Sequence, residues 1–156
     1  MASKCKTIIE FLVSIASILT AIVALLALCT AKNELLSNRE SAAYELYNSY
    51  LEMAYEKPAF AEPQFEYIKN SSEFTAYTWF VSRMLFSAEQ IMSLDLSKEA
   101  MYEWEKTLCI QVRYHKAYLK EKSFEETKGI YHFNIQRMIE HVIKNDNACN
   151  FKIGYL

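Results

Sequence analysis

The side chains best suited to chemistry in this chain are three histidines and four cysteines, and their spacing matches no known catalytic or metal site. His115, His132 and His141 form no His-x-x-x-His or Glu-x-x-His pair, the patterns typical of zinc and di-iron sites. No serine or cysteine lies in a Gly-x-Ser-x-Gly turn, and the sequence contains no glycine-rich phosphate loop. The sequence therefore predicts a non-enzymatic protein without a metal or a cofactor. An enzyme of unrecognised chemistry is the alternative.

The four cysteines, Cys5, Cys29, Cys109 and Cys149, are scattered along the chain and form no Cys-x-x-Cys motif. Such a distribution favours free thiols over a disulfide framework or a metal site. Because free thiols persist in reducing compartments, we expect the part of the chain that carries Cys109 and Cys149 to lie in one.

Two groupings of an arginine with aromatic residues are candidates for a ligand or partner surface. Trp79 and Arg83 are one helical turn apart, and Arg113 stands beside Tyr114 and His115. An arginine beside an aromatic ring can bind an anion or stack on a planar group. These five residues therefore predict a surface for a small anionic ligand or a protein partner. The alternative is that Arg83 pairs with a carboxylate of its own domain.

The element that must position any such surface in the cell is an apolar run at positions 11–31, which contains no charge, Gly or Pro. As a helix it is about 30 Å long, the hydrocarbon thickness of a bilayer. A cleaved signal peptide is the main rival, because Lys4 and Lys6 form a basic segment before the run, and Cys29 permits a lipoprotein signal. However, the run exceeds the usual length of a cleavable signal, and Leu28 replaces the small residue expected before a lipidated cysteine. We therefore expect an uncleaved anchor in the lipid bilayer.

Small residues repeat along one face of this predicted helix, in steps of three and four. The resulting face consists of Glu10, Ser14, Ser17, Ala21, Ala24, Leu28 and Ala31. Helices in lipid associate where small side chains let their backbones approach closely, so the pattern predicts a transmembrane association seam and a homo-oligomer. The alternative is that small residues are simply common in such spans. Glu10 either faces the seam or pairs with Lys6 near the headgroups.

The charge distribution excludes one class of partner and leaves the orientation open. A net charge of −2 provides no basic face, so nucleic acid is not an expected partner. Lys4 and Lys6 precede the span while Lys32 and Arg39 follow it, which makes the positive-inside comparison a near tie. The interpretation of the cysteines as free thiols then favours a cytoplasmic soluble domain.

The remainder of the chain predicts an all-α fold, because Gly and Pro occur only twice each and no segment alternates apolar with polar residues. No Gly or Pro precedes Pro58, so we expect the anchor helix to continue into a stalk until that residue. Three further helices are expected, with Ser97 as the N-cap of the second and Asn134 as that of the third. Short connections favour a small up-and-down bundle. The expected domains are the N-terminal segment and anchor at 1–31, the stalk at 32–57, and the helical soluble domain at 58–156, packing with the stalk.

Three segments carry a resemblance to uncharacterised bacterial single-pass membrane proteins: ELYNSYLEMAYEKPAFAEP, YTWFVSRMLFSAEQI and WEKTLCIQVRYHKAYL. The resemblance implies a bacterial inner membrane, a cytoplasmic helical domain and no assigned activity. The seam and the single span, in turn, predict a membrane-anchored, self-associating interaction or effector protein, in its sharpest form an effector of bacterial stress or phage defence. The alternative is a passive subunit or scaffold of a larger membrane complex.

Overall fold

The structure, a computed structural model, describes the backbone of residues 2–145 and 149 and the side chains of residues 13–145 and 149. Its first helix, α1 (Ala2–Glu56), is continuous, as expected for a stretch without Gly or Pro. It ends where Lys57 leaves the helical conformation and Pro58 starts the short helix α2 (Pro58–Ala61). The predicted long N-terminal helix is therefore confirmed.

The chain divides into two compact units, Met1–Asn38 and Arg39–Leu156. The first unit is the N-terminal part of α1. Within α1, the described stretch Val13–Glu56 is long and apolar enough to cross a membrane, with a mean hydropathy of 2.4 in its most apolar window. The division falls inside the segment that the sequence assigns to a stalk.

The second unit is helical throughout its regular structure in the described residues, which confirms the all-α prediction. Its three longer helices pack against one another in pairs. They are α4 (Phe74–Ser93), α5 (Lys98–Tyr114) and α8 (Phe133–Lys144). The short helix α3 (Phe65–Lys69) precedes α4. Three short elements connect α5 to α8: α6 (Lys116–Leu119), α7 (Lys122–Glu125) and a 3-10 turn at Lys128–Ile130.

The helix starts agree with one predicted cap and correct the other. The Ser97 hydroxyl accepts a hydrogen bond from the backbone N–H of Ala100 at 3.1 Å, so Ser97 is the N-cap of α5 as predicted. The N-cap of α8 is His132, and its Nδ1 accepts from the N–H of Asn134. The expectation of Asn134 as the cap is wrong because the helix begins one residue before it, at Phe133.

The core of the second unit is centred on the apolar face of α4, where Tyr77, Val81 and Leu85 are completely buried. Helix α1 contributes to the same core through Ala43 and Tyr50, which are also buried. Part of the segment predicted to form the stalk thus packs with the helical domain.

Cys109 of α5 and Cys149 beyond α8 form a disulfide, with their Cα atoms 5.7 Å apart. The expectation of free thiols is therefore wrong for this pair. Forty residues separate the two cysteines, and only the packing of α5 against α8 brings them together. A cytoplasmic domain is then no longer indicated by the cysteines, since Cys109 and Cys149 are paired. Cys29 is free and exposed, as predicted, while the side chain of Cys5 lies outside the described residues.

Candidate functional site

The predicted association seam lies on one continuous helix, so its regular spacing holds along a single face of α1. Its described side chains are all exposed. They are Ser14, Ser17, Ala21, Ala24, Leu28 and Ala31. The side chain of Glu10 lies outside the described residues. The six described residues therefore form an unobstructed, mostly small face within the first unit.

Several hydroxyl groups of this helix hydrogen-bond to their own backbone. Ser17 donates to the carbonyl of Val13 at 2.9 Å, and Thr20 donates to that of Ala16 at 2.9 Å. Near the end of the apolar run, Thr30 makes the same contact one turn back. A hydroxyl satisfied in this way needs no partner in a lipid environment. Ser17 therefore contributes to the seam through its small size.

The first predicted surface pair, Trp79 and Arg83, lines an open groove of about 450 Å³ in the second unit. We call this surface the Trp79 groove, and its main walls are Leu46, Trp79, Arg83, Phe86, Ile130 and Tyr131. Trp79 is 68% exposed and Ile130 is 75% exposed, so large apolar side chains stand in contact with solvent. The structure thus brings Trp79 and Arg83 together with an apolar surface that sequence spacing did not indicate.

Arg83 is the one charged residue among those lining the groove, and it is exposed. It makes no ion pair within residues 13–145, so the alternative, a pairing of Arg83 with a carboxylate of its own domain, is not formed there. Glu89, on the same helix, instead accepts a hydrogen bond from the backbone N–H of His132 at 3.0 Å. The groove therefore combines an apolar wall with a cation that has no counter-ion in the described part of the chain.

Tyr131 ties the 3-10 turn to α4 at the edge of the groove. Its ring is buried, and it lines the groove together with Ser82 of α4. Burial raises the pKa of Tyr131, so its hydroxyl stays protonated at neutral pH. The backbone N–H of the next residue, His132, donates to Glu89 of α4, so packing and this hydrogen bond together hold the turn that carries Ile130 against α4.

The second predicted grouping, Arg113 with Tyr114 and His115, does not form a common surface. Tyr114 is 42% exposed, Arg113 is half-buried, and His115 is completely buried. Consecutive residues of a helix point about 100° apart, so three in a row cannot share one face. The prediction that His115 belongs to a ligand surface is therefore wrong, because its side chain turns into the core.

His115 lies where α5 ends, in contact with rings of α4. Its Nδ1 is 3.0 Å from the Tyr77 hydroxyl, and its ring centroid is 5.9 Å from that of Phe80. Nε2 is buried and has no hydrogen-bond partner in the described structure. Burial lowers the pKa of His115 to about 4, so the imidazole is neutral at pH 7.

The neutral tautomer follows from counting hydrogen-bonding groups. If the Tyr77 hydroxyl donates to Nδ1, the only unsatisfied polar group of the pair is the Nε2–H of His115. The reverse direction leaves both the Tyr77 O–H hydrogen and the Nε2 lone pair unsatisfied. The first arrangement is favoured because each buried unsatisfied group costs free energy. His115 therefore acts as a packed, hydrogen-bonded core residue.

A second groove, of about 500 Å³, was missed by the sequence analysis. Its aromatic wall is built from Tyr44 and Tyr47 of α1, whose rings meet Trp104 of α5 edge-on at 5.3 and 5.4 Å. Its acidic rim consists of Glu40, Glu99 and Glu103. The spacing of Tyr44 and Tyr47, three residues apart on one helix, was visible in the sequence, whereas their contact with Trp104 required the tertiary structure.

Gln111 of α5 forms hydrogen bonds with two tyrosines of α1. It accepts a hydrogen bond from the Tyr50 hydroxyl at 2.8 Å and donates one to the Tyr47 hydroxyl at 3.2 Å. The two rings therefore pack on the core while their hydroxyls remain satisfied. At Tyr47 and Tyr50, α1 therefore packs against the core of the second unit.

Within the described residues, no group of three or more His, Cys, Asp or Glu side chains is placed to hold a metal ion. Comparison of the chain with protein-family models, with curated proteins and with solved structures found no match.

Proposed function

We propose that this chain is a membrane-anchored, non-enzymatic interaction protein of the bacterial inner membrane, which self-associates through α1 and binds a partner group in the Trp79 groove. The observation that carries the proposal is the apolar surface of α1, where Ile18 and Leu26 are 61% and 63% exposed. Exposing such surface to water costs about 25 cal/mol per Å², and a bilayer removes that cost. Anchoring accounts for the large exposed apolar side chains in this part of α1.

Self-association is supported by the face that carries Ser17, Ala21 and Ala24. Lipid offers no solvent-driven attraction between helices, so association depends on close backbone contact. The opposite side carries bulky residues such as Ile15, Ile18 and Ile22, which keep a second backbone at a distance. The small-residue seam is therefore the face on which a second copy would pack.

The Trp79 groove supports a binding role for the second unit. Its apolar walls and its single cation, Arg83, suit a ligand that is apolar and carries an anionic group. Among the described side chains, His115 is the one group with a pKa lowered far from its usual value, and it is buried in the core and serves packing there. This distribution favours binding over acid-base catalysis.

More specifically, we propose that the protein is an effector of bacterial stress or phage defence. Ligand binding to the second unit would then change how the α1 helices of several copies associate. Such a switch requires the ligand to bind two assembled states with different affinity. The second candidate is a passive subunit, in which α1 packs against a different membrane protein. The same exposed helix supports either case, so the identity of the partner of α1 distinguishes them.

The test is amine crosslinking of the full chain in native membranes, followed by denaturing electrophoresis. We expect a crosslinked homo-oligomer for the wild type and about a tenfold loss of it for Ala21→Leu, as a loss of about 1.4 kcal/mol would give, because the larger side chain keeps the two backbones apart. Ala16→Leu is the matched control, because it makes the same change about 100° away from the seam. Its crosslinking should equal that of the wild type.

Two outcomes would contradict this assignment. Monomers for the wild type and both variants would remove the basis for self-association. A foreign protein that copurifies in stoichiometric amount in mild detergent, and is lost with Ala21→Leu, would establish the passive-subunit function instead.

A further inference from the structure

The disulfide between Cys109 and Cys149 bears on a question that the charge distribution leaves open, namely which side of the membrane the second unit occupies. Cys109 lies in the middle of α5 and is completely buried. Cys149 follows the end of α8, the helix that packs on α5. The two Cα atoms are 5.7 Å apart, within the usual range for a disulfide, so the fold places both sulfurs for bonding without further movement.

We propose that the second unit lies on the extracytoplasmic side of the membrane and is oxidised there at Cys109 and Cys149. Disulfides form and persist in the bacterial periplasm and on cell surfaces, whereas the cytosol keeps such pairs reduced. The inference rests on the proposed anchoring, because α1 is what would fix one side for the second unit.

The disulfide forms by thiol-disulfide exchange. The S–H bonds of Cys109 and Cys149 are broken and one Sγ–Sγ bond is formed. The two electrons and two protons pass to the disulfide of an oxidised thiol-disulfide oxidoreductase, which leaves as a dithiol. Cys149, which is partly exposed, forms the mixed disulfide with the oxidoreductase, and the buried Cys109 then attacks Cys149 and releases the reduced enzyme.

The charges beside the span are compatible with this orientation. Lys4 and Lys6 would remain in the cytoplasm, and Lys32 and Arg39 would lie outside, so the positive-inside comparison does not oppose it. The ligand of the Trp79 groove would then be met in the cell envelope. An effector function would accordingly respond to an envelope component and not to a cytosolic signal.

The test measures the redox state of the cysteines in Gram-negative cells that express the full chain. Acid quenches thiol exchange, and free thiols are then labelled under denaturing conditions with a 5 kDa maleimide polymer, which adds to the apparent mass. The variant Cys5→Ser, Cys29→Ser carries only the pair in question. We expect it to take up no polymer before reduction and two polymers after it, with the oxidised form at least tenfold in excess. Adding Cys149→Ser provides the matched control, which takes up one polymer in both conditions.

A second readout assigns the side directly. Trypsin added to intact spheroplasts should digest the second unit, at exposed residues such as Lys120, while a cytoplasmic marker stays intact. A reduced pair, or a second unit protected from trypsin until lysis, would overturn the inference. Carbonate extraction separates this from the proposed function: a chain released from membranes contradicts anchoring, whereas an anchored but reduced chain contradicts only the assigned side.

Discussion

The strongest quantitative prediction concerns His115, whose burial makes the stability of the second unit depend on pH. The folded-state pKa is about 4, against 6.5 for an unperturbed histidine. Between these values the unfolded chain binds a proton that the folded chain excludes. Stability is therefore complete above pH 6.5, falls as the pH decreases through this window, and levels off below pH 4.

The magnitude follows from the difference between the two pKa values. Each unit corresponds to 1.36 kcal/mol, so a shift of about 2.5 units predicts a loss of about 3 kcal/mol between pH 7 and pH 4. A typical small domain has a total stability of about 5–15 kcal/mol. Protonation of this one side chain would thus remove a substantial part of it.

The assay is urea unfolding of the full chain in detergent micelles at several pH values, followed by the fluorescence of the buried Trp104. The control is His115→Asn, which keeps a polar side chain facing Tyr77 but does not titrate. All other ionisable groups are common to both proteins, so the difference between their pH profiles reports His115 alone. Parallel profiles from pH 7 to pH 4, or an NMR titration midpoint of His115 near 6.5, would refute the reasoning.

Two further predictions concern the disulfide and the Trp79 groove. Cys149→Ser opens a loop of 40 residues, and the chain-entropy relation gives a loss of about 4 kcal/mol, or about 15 °C in Tm by calorimetry. For the Trp79 groove, we expect the wild type to bind 2-naphthoate about fivefold more tightly than the neutral 2-naphthamide, because an exposed charge pair contributes about 1 kcal/mol. Arg83→Gln should abolish this preference. Saturation-transfer NMR measures both affinities.

Controls keep these two predictions specific. Cys29→Ser removes a free thiol outside the second unit and should leave the Tm unchanged. Lys120→Gln removes an exposed charge that does not line the groove and should keep the naphthoate preference. An unchanged Tm for Cys149→Ser, or an unchanged preference for Arg83→Gln, would show that the corresponding contact contributes nothing measurable.

Much of the architecture was predictable because it depends on local patterns. The apolar run at 11–31 and the absence of Gly or Pro before Pro58 sufficed to predict a long first helix. The buried face of α4 follows from the same kind of pattern: Tyr77, Val81 and Leu85 are four residues apart, and residues at this spacing lie on the same side of a helix. Such features involve neighbours within one or two turns.

The candidate site was only partly predictable. Trp79 and Arg83 share a helix face by spacing, and the structure places both in one groove. The wall supplied by Ile130 comes from a turn about fifty residues away, which no local pattern indicates. His115 was misplaced because an aromatic-arginine grouping looks the same in a sequence whether its members face solvent or core.

The sequence by itself determined that the chain is helical, that its first helix is apolar enough to span a bilayer, and where that helix ends, because these properties arise from residues close together along the chain. Only the tertiary structure decided that Cys109 meets Cys149, that His115 is buried against Tyr77, and that Arg83 lies in a groove without a counter-ion in the described residues. Each of these contacts joins residues 38 to about 50 positions apart, and their proximity is set by how helices pack.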